Sequence, residues 1–202
     1  VKKIVLGECG HSHKALTVIA DKVLTGDLNI PRENCVTVFR DIVRSGKVKF
    51  DKSRNDFPIT LHDPCNLVRL MGVVTPQREV LDAIAPERRI HPMTPEGVHN
   101  YCWCGGSGFA IMSGHNFESW RHRMLGRRKF RQILTAFKNE DWDQKHPKYV
   151  CVPCSNCKGQ LRDIITFYDA WEKAGIFYGG LVELMVNAMV GAEPGYVDWE
   201  WH

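Results

Sequence analysis

Apolar residues in this chain fall into short runs, beginning at Ile4–Leu6, with stretches of helical spacing between them. KIVLG (3–7) has the continuous apolar character of a buried strand, and HKALTVIADKVL (13–24) repeats its apolar positions at helical period. CVTVF (35–39) is β-branched and predicts a strand, followed by a short helix around Asp41–Val43. FPITLHD (57–63) predicts a strand, and residues 76–85 a helix capped by Thr75 with Pro76 in its first turn. An amphipathic helix is expected over about 115–138, weakened by Gly126. KYVCVP (148–153) predicts a buried strand, Asn156 to Trp171 a helix, and GLVELMVNAMV (180–190) a final helix. Strands alternating with helices imply parallel pairing and an α/β layered fold. In such folds ligands gather beyond the carboxyl ends of the strands.

Composition narrows the class. The chain has 202 residues, 44% hydrophobic and 25% charged, which is ordinary for a globular protein and argues against disorder or coiled coil. A net charge of +4 is too mild to suggest nucleic acid as partner. The longest apolar stretch, Gly179 to Ala192, contains Glu183 and Asn187 and is too short for the ~20 residues of a membrane span. Membrane association is therefore expected only through partner subunits. The first residue is Val1 on a strand-like run, with no signal-peptide pattern, so the chain is expected to be a piece of a longer protein.

The eight cysteines change the picture most, because five of them fall in two tight groups, Cys102/Cys104 and Cys151/Cys154/Cys157. Clustering of this kind favours thiolate ligation over a disulfide framework. Three elements carry the chemistry: HDPC (62–65), CWCGGSG (102–108) and CVPCSNC (151–157). Cys65 and Cys154 each follow a predicted strand, so both stand where an α/β fold builds its site. Cys154 and Cys157 open a helix, where free N–H groups and the helix dipole stabilise thiolates. Gly105, Gly106 and Gly108 let backbone approach inorganic sulfide closely. Cys65, Cys104, Cys154 and Cys157 are thus candidate ligands of an iron–sulfur cluster, with Cys102 a candidate fifth. Structural zinc on the same four cysteines is an alternative, although zinc sites usually pair two short knuckles. Cys35 and Cys151, alternating with apolar residues inside predicted strands, are expected to be buried inert thiols. His62 and His115 are candidate proton donors. RHRMLGRRKFR (121–131) carries six Arg or Lys residues, which suits either a solvated helix face or a docking surface for an acidic protein.

HDPC, WCGGSG (103–108) and VPCSNC (152–157) together resemble the cysteine-rich CCG domain of heterodisulfide-reductase-like proteins: a strand-end cysteine, a Cys-Cys-Gly with following glycines, then a CxxC. GECGH (7–11) and YGGLVELMVNAM (178–189) extend the resemblance toward DsrK-type catalytic subunits of sulfite-reduction-associated membrane complexes. The resemblance implies parallel-sheet modules in pseudo-symmetric tandem. Residues 1–56 would be the remnant of a first module, with Cys9 and Ser12 at its two CxxC positions, and residues 57–202 a second module that holds the cluster. It further implies a [4Fe–4S] cluster of noncubane type held by five cysteines, two of them adjacent. Here Trp103 occupies the first of that adjacent pair. Either Cys102 takes the role through a local backbone shift, or four cysteines hold an ordinary cubane.

The function so implied is reduction of a disulfide or trisulfide on a small acidic or cysteine-bearing sulfur-carrier protein in dissimilatory sulfur metabolism. Electrons would come from a quinol pool through membrane cytochrome or quinone-reactive subunits. The chain would lie on the cytoplasmic side, peripheral to the inner face of the membrane. Two other classes stay open at this point, an iron–sulfur electron relay without substrate chemistry and a zinc-stapled interaction module.

Overall fold

The computed structural model describes residues 4–19, 31–101, 119–193, 195 and 197. Within them lie two parallel sheets. The smaller pairs β1 (Val5–Gly7) with β2 (Arg32–Asn34), and the larger has the order β3 (Ile59–Leu61), β4 (Lys148–Cys151), β5 (Ile176–Gly179). The α/β reading with parallel pairing therefore holds. β4 is the central strand, paired through Tyr149↔Ile59 on one side and Lys148↔Ile176 on the other.

Period-two alternation along β4 divides the core. Val150 and Val152 face a cluster with Ile133, Phe137, Leu161 and Ile164, while Tyr149 and Cys151 face one with Val80, Leu81, Ile84, Leu184 and Met185. The first layer is supplied by α4 (Arg127–Ala136) and α5 (Ser155–Phe167), the second by α3 (Pro76–Ile84) and α7 (Leu181–Ala188). Helices on both faces bury the strand completely, which explains its continuous apolar sequence. A polar spine ties the second layer together. Asn55 Nδ2 donates to the carbonyls of Ile84 and Leu184, both at 2.9 Å, and Asn187 Nδ2 donates to Asn55 Oδ1 at 2.9 Å.

Several expected elements differ. CVTVF is not a strand but the first turns of α2 (Cys35–Ser45). Asn34 decides this: its side chain accepts from the Val36 N–H at 2.9 Å and caps the helix, which overrides β propensity. Cys35 is accordingly the first helical residue and only half-buried, not a strand thiol. The helix over 76–85 is present, but Thr75 makes no side-chain capping bond. The helix expected over 115–138 is described from Ser119, as a π-helical turn to Gly126 followed by α4. The one expected to reach Trp171 breaks at Asp169, whose φ is 49°, and resumes as α6 (Ala170–Ala174). β5 is not among the predicted strands; Ile176, Phe177 and Tyr178 are its β-forming signal.

In the smaller sheet, α1 (Gly10–Lys14) follows β1 and widens into a π-helical stretch, Ala15–Ile19. Asn34 Nδ2 donates to the Gly7 carbonyl at 3.0 Å and pins the two strand ends together. The order strand, cysteine, helix, parallel strand, helix thus occurs twice, around Cys9 and around Cys154.

Candidate metal centre

The turn after β3 is built to be rigid. His62 N–H continues the ladder to the Cys151 carbonyl at 2.8 Å, and the Pro64 carbonyl accepts from Leu67 and Val68 at 3.0 and 2.9 Å. Between them Asp63 has a side chain that is 0% exposed. Its carboxylate accepts from Arg78 Nη1 and Nη2 at 2.8 and 2.7 Å, from Gln77 Nε2 at 3.3 Å and from the Gly97 N–H at 2.6 Å. Those bonds fix the backbone from which Cys65 projects, half-buried, at the start of a π-helical turn (Asn66–Leu70). The same partner holds the Arg78 guanidinium above its ordinary pKa.

One strand over, Val152 N–H donates to the Gly179 carbonyl at 2.7 Å and Cys154 N–H to that of Val152 at 2.8 Å, a tight turn that starts α5. Cys154 and Cys157 are 4% and 2% exposed and pack in one apolar cluster. The Cys157 sulfur and burial together push the Cys154 thiol up to about 12, against the opposing effect of a hydrogen bond from Cys9. Lys158 and Glu183 form an ion pair beside this turn.

Cys9 also belongs here. In sequence it lies outside the motif cysteines, yet the Cys154 sulfur and then burial push its thiol up to about 12. It packs in the same apolar cluster as Cys154, Cys157 and Val152. Its neighbour Gly10 lies flat on the Cys65 turn, where a Cβ would stand 2.3 Å from Leu67 N. Asn66 Nδ2 reaches His11 at 3.2 Å and Cys65 Sγ at 3.8 Å. A cavity of about 80 Å³ at this junction is lined by Glu8 and Cys35 from one side and by Pro153, Cys154 and Gly180 from the other. No local pattern announces these contacts.

Cys102, Cys104, Gly105, Gly106 and His115 lie outside the described residues. The described stretch before them ends at Tyr101, against whose ring Arg128 stacks at 3.8 Å. At the preceding residue, Asn100 Oδ1 accepts from the fully buried Lys129 at 2.7 Å, and Gln132 Oε1 accepts from the same ammonium at 2.5 Å. Lys129 is thus no surface charge, although the 121–131 run suggested one. Arg127, Arg128 and Arg131 instead line an open cleft of about 580 Å³ with Thr94, Tyr101 and Gln132. His62 is 1% exposed, and burial, then the Lys129 charge, holds its pKa well below the ordinary imidazole value.

The donor set fits an iron–sulfur cluster. Cys65 and the pair Cys154–Cys157 stand just beyond two neighbouring strands, and the pair is buried in an apolar setting. Among the described residues no three His, Cys, Asp or Glu side chains close on one point as a single-ion site requires. Cys9, Cys154 and Cys157 pack in one buried apolar cluster.

Comparison with known proteins agrees with this chemistry. The family model described as "CCG: Cysteine-rich domain" matches residues 59–162. The chain is 25% identical over 150 residues to Hdr-like menaquinol oxidoreductase iron-sulfur subunit 2 of Archaeoglobus fulgidus, covering 74% of this chain and 25% of that protein. It is 29% identical over 110 residues to a subunit of the dihydromethanophenazine:CoB–CoM heterodisulfide reductase of Methanosarcina acetivorans, covering 54% and 26%. An Hdr-like menaquinol oxidoreductase iron-sulfur subunit of Archaeoglobus profundus is 24% identical over 151 residues, covering 74% and 25%. The chain therefore spans about a quarter of the length of these relatives. No solved structure matches it significantly.

Proposed function

This chain belongs to the cysteine-rich (CCG) domain family, and on that basis we propose that it is an iron–sulfur subunit of a heterodisulfide-reductase-like oxidoreductase complex. The observation that carries the reading is the buried pair Cys154–Cys157 just beyond the end of the central strand, one strand away from the Cys65 turn. Cys65, Cys104, Cys154 and Cys157 hold a [4Fe–4S] cluster, Gly105 and Gly106 border it, and Cys102 is the motif's candidate for a fifth ligand. Residues 57–202 are the cluster-binding module and residues 1–56 the counterpart of a first one.

When bound, the cluster supplies one-electron transfer and a soft metal site for sulfur. The overall change is R–S–S–R′ + 2 e⁻ + 2 H⁺ giving two thiols. The rest falls to the protein. The Asp63 network holds the Cys65 backbone still, and the apolar cluster around Val152 and Met93 keeps water from the sulfurs. The arginine cleft beside Tyr101 attracts an acidic partner protein carrying the disulfide. His62 stays a neutral hydrogen-bonding group, leaving His115 as the candidate for proton delivery. In the finer reading, a DsrK-type one, that partner is a small sulfur carrier of dissimilatory sulfur metabolism. Electrons arrive from a quinol pool through membrane cytochrome subunits, which also hold the chain on the inner face of the membrane.

Near-complete burial of Cys154 and Cys157 favours a second reading, an electron relay with no substrate chemistry. One preparation tests both. Chain isolated anaerobically is expected to carry about four iron atoms with matching sulfide and no stoichiometric zinc. One zinc without sulfide would end the cluster reading. A paramagnetic spectrum that shifts on adding a thiol substrate supports the reductase, and one that does not supports the relay.

A further inference from the structure

The two strand–cysteine–helix units of this chain do not merely resemble each other; they meet at their cysteines. Cys9 ends β1 as Cys154 ends β4, and each stands at the N-terminus of the helix that follows. Both cysteines are more than nine-tenths buried, and they pack in one apolar cluster with Cys157. The loop carrying Cys9 is seated at the other end as well. Gly10 is packed on the backbone of Asn66 and Leu67 with no room for a Cβ, and Asn66 bridges His11 and Cys65. Residues 9–11 therefore touch both the Cys65 turn and Cys154.

The position of Cys9 is held by its own neighbours. Its sulfur accepts from the Ser12 N–H at 3.5 Å, and Ser12 Oγ lies 3.6 Å from it. Ser12 stands where the second unit has Cys157, so the first unit offers one thiol and a hydroxyl where the second offers two thiols. A hydroxyl there cannot join a soft-metal donor set, but it can orient the sulfur beside it. At these two positions the first unit thus has a single sulfur, packed in one apolar cluster with the second unit's pair.

From this juxtaposition we propose that Cys9 supplies a thiolate ligand to the iron–sulfur cluster of the second unit, from across the junction between the two halves. The inference rests on the cluster reading above. The sulfur so supplied comes from the N-terminal half, outside the residues 59–162 that the family model matches.

The test compares anaerobically loaded full chains of wild type, Cys9→Ser, Cys102→Ser and Cys151→Ala, by iron and sulfide content, low-temperature paramagnetic spectrum and rate of iron release to a chelator. Cys9→Ser is expected to change the spectrum and release iron about tenfold faster or more. Cys151→Ala should match wild type, and a spectrum changed by Cys102→Ser but not by Cys9→Ser gives the fifth position to Cys102 and overturns the inference. Circular dichroism of the cluster-free chains checks folding, and Cys9→Ala, with no buried hydroxyl, replaces the serine variant if that fails to fold. Cys9→Ser or Cys9→Ala with wild-type spectrum and release rate overturns the inference while leaving the cluster reading intact. A wild-type chain without iron and sulfide overturns both.

Discussion

Asp63→Asn should destabilise the chain by about 3 kcal/mol, and the structure says where that figure comes from. The carboxylate accepts four hydrogen bonds and is wholly buried, whereas Arg78, its main donor, is 27% exposed. Asparagine has nearly the same shape but turns one acceptor into a donor, which then faces Arg78 or the Gly97 N–H. Two of the four bonds are lost, each charge-assisted and worth about 1.5–3 kcal/mol. Breaking a buried pair costs about 3–5 kcal/mol in general, and the partial exposure of Arg78 lets its freed charge rehydrate, so the lower end applies. Arg78→Met should cost more, toward about 5 kcal/mol, because it strands a carboxylate that cannot reach water. Urea unfolding followed by circular dichroism reads both. With a slope of about 2 kcal/mol per molar, Asp63→Asn lowers the midpoint by about 1.5 M. A shift below about 0.5 M, or Arg78→Met costing less than Asp63→Asn, would refute the reasoning. Because the same bonds fix the Cys65 turn, the asparagine variant should also retain less iron at equal protein concentration.

Three further outcomes are expected. Gly175→Ala should cost at least about 2 kcal/mol in the same assay, since its φ is +61° and a Cβ would stand 2.0 Å from the Asp143 carbonyl oxygen. Cys151→Ser should cost about 1–3 kcal/mol, for it puts a hydroxyl into an apolar layer at a position that is 0% exposed, while the cluster spectrum stays unchanged. Asp56 is held below the ordinary carboxylate pKa by its bond from Arg89 and the charges of Arg89 and Arg88. Its contribution is therefore present at neutral pH and is lost as the pH falls below about 4; the urea midpoints of Asp56→Asn and wild type should converge there, and a gap that persists in acid would contradict the assignment.

The layered α/β class, and the position of Cys65 and Cys154 just beyond two of its strands, are legible in the order of the amino acids. Continuous apolar runs at FPITLHD and KYVCVP suit strands covered on both faces, and the cysteines just beyond them then stand at adjacent carboxyl ends. Those signals are local, set by residue type and period, so they survive without a fold. Where two local signals compete, the sequence misleads: CVTVF has the β-branched residues of a strand, but the Asn34 cap turns it into a helix. The apolar core of β5 is too short to stand out between Gly175 and the glycines at 179 and 180. The Lys129 ammonium and the Arg127–Arg131 cleft come from one basic run, and packing separates the buried charge from the exposed ones. The meeting of Cys9 with Cys154 belongs to the tertiary structure alone. Their contact joins two parallel-sheet units far apart in the chain, and its register depends on how Gly10 seats against Asn66 and Leu67, a close approach that no periodicity in either segment encodes.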